Sequence, residues 1–179
     1  KLVVSVGRIA NTDGLGAVGV GLKVDERGMV DVVGQCRTML PNVWAIGDVI
    51  ATPQLAHVGF AEAICVIKDI LGEEAIPVDN AKVPWAIYCQ PEVAFAGLSE
   101  AAAKDAGFDV VTSRHRFGGN SRAMIIGQTD GLVKIIAEKR PDGTGGRVLG
   151  VHLVGPWVTE QLGQGYLAVN WEATVDEIA

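Results

Sequence analysis

Nothing in this 179-residue chain approaches the ~20 consecutive apolar residues that a helix needs to cross a bilayer, so no membrane span is expected. Cysteine is sparse: Cys36, Cys65 and Cys89 form neither a CxxC nor a CxxxxC pair. That excludes a disulfide framework and predicts small buried thiols in a reduced, cytoplasmic protein. Three scattered cysteines and three scattered histidines supply no metal-ligand spacing, so no metal site is expected. Positive charge is in the minority, with 15 Lys and Arg against 21 Asp and Glu, a net charge of -6 and a pI near 5.0. Such a balance argues against a nucleic-acid partner, whose phosphates it would repel. Internal repeats and low-complexity tracts are lacking as well. No leader is expected either, because Lys1-Leu2-Val3-Val4 opens directly as a strand, and a start in mid-pattern predicts a piece of a longer protein.

What is present is a chain rich in core-forming residues, 49% hydrophobic, with 23 glycines for tight turns. Leu2–Val6 is a Val-rich run ending at Gly7-Arg8, the pattern of a buried strand in a parallel sheet. Residues 20–24 and 29–33 flank Asp25-Glu26-Arg27-Gly28 and predict a hairpin. Val43-Trp44-Ala45-Ile46 runs into Gly47-Asp48, a strand that ends in a carboxylate. Leu55–Leu71 reads as a helix, apolar on most faces and therefore largely buried, with Gly72 as its cap. Residues 73–83, with Pro77 and Pro84 nearby, predict a linker.

Beyond the linker the pattern changes. Short strands are expected at 85–88, 93–95, 110–117, 132–137 and 148–154, with a flexible hairpin turn at 141–146. Ser99 is a good N-cap for a helix over 100–106, a second helix spans about 158–170, and Thr174 with Glu177 forms a capping box. A helix that starts at a capping box and stops after one turn predicts that the chain continues beyond Ala179. The fold class is therefore α/β plus α+β: a partial, Rossmann-like α/β segment over 1–78, then an α+β domain with an antiparallel sheet over 79–179.

The strand–Gly47-Asp48–loop–helix unit is the strongest candidate site, because ligands of open α/β sheets gather at the carboxyl ends of strands. A carboxylate there can accept hydrogen bonds from sugar or ribitol hydroxyls, and the helix start near Leu55-Ala56-His57 suits an electron-rich ligand edge. Asp48 capping a turn is the plain alternative. His115 and His152 sit in strands and read as structural, while Cys89 in an apolar strand reads as inert. Residues 114–116 form a solvated basic face, and 118–122 a loop with no following Lys-bearing helix to make it a phosphate site. Trp157 and Trp171 are interface anchors or core residues.

Thr38 with Val43–Asp48 resembles the second flavin-binding motif of the FAD-dependent pyridine nucleotide-disulfide oxidoreductases, and Val4–Arg8 resembles the strand-end Gly-Arg motif that precedes it. Leu55-Ala56-His57 with Glu62 is similar to the corresponding segment of dihydrolipoyl dehydrogenases. Tyr88–Val93 and Val151–Pro156 resemble strands of the family's dimerisation domain. Gln54, Ala10 and Cys89-Gln90 depart from the family's usual Met, Pro and Thr-His. The resemblance implies that Asp48 binds the ribitol of FAD, that Gln54, Leu55, Ala56 and His57 present backbone groups to the flavin ring, and that Gly7 lies close to NAD. It further implies oxidation of dihydrolipoamide by the parent protein, a homodimer built through 79–179, and lipoyl domains of a 2-oxoacid dehydrogenase complex as partners. The family's GxGxxG fingerprints and CxxxxC redox pair are not in these residues, and its His-Pro…Glu base is expected just past Ala179, so this chain alone is expected to be inactive. The apolar half before the linker is expected to be disordered, rearranged or protected by association.

Overall fold

The computed structural model describes residues 1–34 and 36–179, and the chain divides into two units, Lys1–Asn80 and Ala81–Ala179. In the first unit the expected strands do not form among the described residues. Leu2–Val6 is unpaired and exposed, with Leu2 at 89% and Val6 at 92% of full exposure. The reason is physical: a strand exists only where a neighbour takes its N–H and C=O groups, and no partner strand lies alongside it here. The 20–33 hairpin is reduced to one antiparallel bridge, Val24 to Val30. Its turn does form: Asp25 Oδ1 accepts from the Arg27 and Met29 amides at 2.8 Å each, and Gly28 takes φ +78°. Further single bridges join Arg37 to Val33 and to Trp44.

A small core of Val30, Cys36 and Ile50, with Leu22, Val24, Ala45 and Val66 against it, anchors this unit. Helix α1, Ala56–Leu71, runs as the sequence predicts and ends at Gly72 in the left-handed conformation, whose amide bonds Asp69 O. Its burial does not follow the prediction. Val58, Glu62 and Cys65 are buried, whereas Phe60, Ile64, Ile67, Ile70 and Leu71 are exposed. One face finds the small core and the other has nothing apolar to meet. Arg37 pairs with Asp69 at 2.6 Å, and Trp44 Nε1 donates to the other Asp69 oxygen at 2.8 Å, which ties α1 to the bridged segment. These two donors hold the Asp69 carboxyl below its ordinary range.

The second unit carries strands β1 Trp85–Ile87, β2 Glu92–Gly97, β3 Val110–Arg116, β4 Leu132–Lys139 and β5 Gly145–Gly155. They make one antiparallel sheet in the order β1-β2-β5-β4-β3. Helices α2 Glu100–Asp105, α3 Ser121–Ile125, α4 Val158–Asn170 and α5 Val175–Ile178 complete the α+β fold. Helix α4 packs on β2 and β5, where Ala94, Ala96, Val151 and Leu153 meet Val158, Leu162, Ala168 and Val169. Leu149, Ile136 and Ala103 form a separate cluster with Leu98, Phe108 and Val110. The register shift between Ile136 and Ala137 explains how β5 serves both clusters. Ile136 pairs with Gly150 and Ala137 with Val148, so Leu149 is an extra residue and the alternation inverts there. Gly150 permits the close crossing, since a Cβ on it would lie 2.0 Å from Leu98 O.

Most local signals hold in this unit. Ser99 Oγ accepts from Ala102 N, the Thr174–Glu177 capping box is complete, and the 141–146 turn is tied by Asp142 Oδ1 to the Thr144 amide and hydroxyl. The expected loop at 118–122 is instead a single 3₁₀ turn, Phe117–Gly119, followed by α3. Asn120 caps that helix by accepting from Ala123 N at 3.0 Å. Cys89 is exposed in the turn between β1 and β2 rather than buried in a strand, and its thiol donates to Pro91 O. Rings of Trp85, Phe95 and His152 stack across three paired strands at 5.6 Å, and His152 Nε2 lies 3.0 Å from Leu98 O. Both tryptophans beside α4 are exposed, Trp157 at 61% and Trp171 at 76%, which favours the anchor reading over the core one.

Candidate functional site

Thr38 sets up the approach to the site. Its amide and hydroxyl both donate to Val43 O, and the Ala45 amide donates to Cys36 O. The run then reaches Gly47, whose φ of +73° favours a residue without Cβ, and the chain turns. Asp48 therefore sits not at a strand end but in a 3₁₀ turn, Gly47–Val49, closed by Ile50 N donating to Gly47 O. Fully buried Ile50 pins the turn from below, and Val49 O accepts from Val30 N at 2.8 Å. Pro53 and Gln54 lead into Leu55, the N-cap of α1, which offers no side-chain cap. Ala56 and His57 begin the helix and are both exposed, so its first turn is open to solvent.

The turn and the helix are joined by three contacts. Gln54 Nε2 donates to Asp48 O at 3.3 Å. Gly59 lies against Gly47, whose Cα a Cβ on Gly59 would meet at 3.5 Å. Glu62, only 2% exposed, accepts from Gly47 N through Oε2 at 2.7 Å. Asp48 is exposed, and among the described residues no hydrogen bond reaches its carboxylate; the bond from Gln54 goes to its main-chain oxygen. The structure thus brings Asp48, Gln54, Leu55, Ala56 and His57 into one junction. Gly7 stays apart, exposed in the unpaired opening segment with nothing within 4 Å of the position its Cβ would occupy.

Chemically, the junction combines an exposed acceptor with a helix start that has no side-chain cap, which fits a ligand carrying hydroxyl donors and an electron-rich ring edge. Sequence reasoning names Glu62 with the Leu55-Ala56-His57 segment but assigns it no role at the site. The available signal was a lone carboxylate on a helix face between Val58 and Cys65, which are themselves buried. Glu62 and Cys65 also act on Cys36: burial first, then the Glu62 charge and Cys65, push that thiol up to about 11. Among the described residues no cluster of His, Cys, Asp and Glu is arranged to hold a metal ion.

Two family models match: the pyridine nucleotide-disulphide oxidoreductase over residues 1–63, and the pyridine nucleotide-disulphide oxidoreductase dimerisation domain over residues 83–179. The chain belongs to this family, whose members work with FAD and a pyridine nucleotide.

Within the family its similarity is to dihydrolipoyl dehydrogenases. It is 38% identical over 178 residues to that of Cupriavidus necator, covering 99% of this chain and 36% of the relative. It is 40% identical to dihydrolipoyl dehydrogenase 3 of Pseudomonas aeruginosa, covering 99% and 37%. Among solved structures it resembles LpdA from Mycobacterium tuberculosis, at TM-score 0.84 and 26% identity over 95% of this chain and 36% of that one. It also resembles the HOCl-induced flavoprotein disulfide reductase RclA from Escherichia coli, at TM-score 0.81 and 26% identity over 92% and 37%. The chain thus spans about a third of the length of the relatives it matches. Among the described residues no helix is long and apolar enough to cross a membrane.

Proposed function

We propose that this chain is the flavin-edge and dimerisation part of a cytoplasmic flavoprotein that oxidises dihydrolipoamide to lipoamide with NAD as acceptor. The observation that carries the reading is the junction in which Gln54, Gly59 and Glu62 tie the Asp48 turn to the start of α1. Asp48 holds ribitol hydroxyls of FAD by accepting their hydrogen bonds. Gln54, Leu55, Ala56 and His57 present backbone groups to the flavin ring, where the positive end of α1 stabilises added negative charge. FAD, when bound, supplies the two-electron chemistry between dithiol and NAD. Gly7 lies along the NAD path. Residues 1–78 form the FAD/NAD-binding part and 79–179 the dimerisation domain, a division supported by the spans of the two family models. The second unit pairs two copies by the same surface on each, and lipoyl domains of a 2-oxoacid dehydrogenase complex deliver the substrate.

The 179 residues alone carry no dihydrolipoamide-dependent NADH formation on this reading. The test is the full-length protein, with its visible spectrum recorded before the assay. A flavin spectrum with dihydrolipoamide-dependent NADH formation is expected, and Asp48→Ala should weaken FAD binding by roughly tenfold or more. Likeness to RclA favours one second reading, a sister disulfide reductase or pyridine nucleotide transhydrogenase. A flavin spectrum without that activity would support it. A colourless full-length protein would instead indicate a non-catalytic dimerisation module.

A further inference from the structure

We propose that Glu62 is the positioning residue of the flavin cradle: it acts on the cofactor through the Gly47 amide, by fixing the turn that aims Asp48. This rests on the reading of Asp48 as an FAD ligand. Three observations converge on Glu62. It is 2% exposed, on a helix whose other face carries exposed apolar side chains, so burial of this carboxylate is not incidental to the helix. Its Oε2 takes the Gly47 amide at 2.7 Å, immediately before Asp48. Its Oε1 is buried with no partner among the described residues. A buried carboxylate with half its acceptor capacity unused is expensive to keep, and a neutral apolar residue would fit the helix better. What the carboxylate does supply is a charge-assisted bond to a backbone amide in a turn with left-handed φ. The turn is otherwise held by Ile50, by Val30 N donating to Val49 O at 2.8 Å, and by the Gln54 side chain on Asp48 O, whose 3.3 Å length is long beside the Glu62 bond; of these only the Glu62 bond joins the Gly47 amide to α1. Gly59 packs beside Gly47, where a Cβ on it would make only an ordinary 3.5 Å contact with the Gly47 Cα. Glu62 therefore couples the Asp48 turn to the first turns of α1, so that both move as one body toward the ligand. It touches neither the ligand nor any reacting atom.

The experiment is FAD titration of full-length apoprotein, followed by flavin fluorescence and by the visible spectrum, in the wild type, Asp48→Ala, Glu62→Met, Glu62→Gln and the Asp48→Ala/Glu62→Met double variant. Methionine keeps the length of glutamate and removes the acceptor, so Glu62→Met should raise the FAD Kd by roughly tenfold or more. Glutamine retains an oxygen for Gly47 N, so Glu62→Gln should stay within about threefold of wild type. In the Asp48→Ala background, Glu62→Met should cost less than about threefold, because the carboxylate that the turn aims is gone. A residue that merely stabilised the fold would weaken FAD equally in both backgrounds, and that result overturns the proposal. Should Glu62→Met not fold, Glu62→Asp serves: it withdraws the acceptor by one methylene, and an unchanged Kd overturns the proposal. A wild type without flavin, or an Asp48→Ala protein that binds FAD as the wild type does, overturns the Asp48 reading and this inference with it. Weak binding by Asp48→Ala with tight binding by Glu62→Met overturns this inference alone.

Discussion

Two helices of this chain invite comparison. Helix α1 is the more apolar, yet it leaves Phe60, Ile64, Ile67, Ile70 and Leu71 in solvent. Helix α4 has two glycines and two glutamines in its interior, and it buries Val158, Leu162, Ala168 and Val169. The difference lies in what each meets. Helix α4 crosses β2 and β5 of a complete antiparallel sheet, close enough that a Cβ on Gly165 would lie 2.8 Å from a Val151 methyl group. Among the described residues helix α1 meets isolated bridges, the Gly47–Val49 turn and the small cluster around Ile50, but no complete sheet. An apolar helix is buried by a surface that accepts it, and its own composition is not enough.

The same contrast should appear most strongly in amide hydrogen exchange. Amides of β4 and β5 are paired on both sides and should exchange only by global opening, typically about 5–15 kcal/mol for a domain. Those of Leu2–Val6 have no ladder partner and should exchange at nearly the free-chain rate. Slow and uniform exchange over both units would erase the distinction.

Gly150→Val comes next. Its Cβ would fall on Leu98 O and on the Leu98 backbone, which a strand in a tight register cannot yield. We expect a loss above about 4 kcal/mol, seen as disappearance of the sheet's cooperative urea transition. The first unit should keep its α1 helicity by circular dichroism. Loss of both together would mean that the units do not fold separately.

The isoleucines give a finer test, because one residue type occurs in both settings. Ile136 is 0% exposed and Ile64 is 60% exposed. Ile136→Ala should lower stability by about 2–5 kcal/mol through lost transfer energy and the cavity left behind. Ile64→Ala should change it by no more than about 0.5 kcal/mol. Equal effects in denaturant titrations would show that the outer face of α1 is covered in solution.

The division between the units also governs how much could be read from the residues alone. In the second unit the determinants are local: Ser99, Asn120 and Thr174 each cap the helix that follows, and turn residues separate the strands. Only α3 was passed over, because Gly118-Gly119 masked the cap signal of Asn120. In the first unit the Val-rich run at 2–6 is a genuine strand pattern, but pairing is a property of two segments and no single segment encodes it. The candidate site divides the same way. The apolar period yields the helix start and the Gly-Asp pair marks Asp48, though at a strand end rather than in its turn, whereas Glu62 reaches Gly47 from 15 residues away, a contact that only the folded chain reveals.

Glu100 provides the smallest effect and asks whether surface charge adds to the advantage of the second unit. It bonds Lys104 and Lys134 at 2.7 Å each, with Arg114 at 3.7 Å. The Lys104 bond first, then Lys134, hold its carboxyl down at about 2, below an ordinary 4.5. The folded state therefore keeps Glu100 ionised where the unfolded chain takes up a proton. Between those two values the unfolded state binds more protons, so stability rises with pH across the window. The contribution is fully present above about 4.5 and is lost as pH falls through about 2. The group is solvent-facing, so salt should screen the effect. In urea titrations repeated from pH 6 to pH 2, Glu100→Gln should flatten the acid limb of the stability curve and leave the limb above pH 5 parallel to wild type. An unchanged acid limb would mean that the three cations do not act on Glu100 in solution, and that packing alone separates the two units.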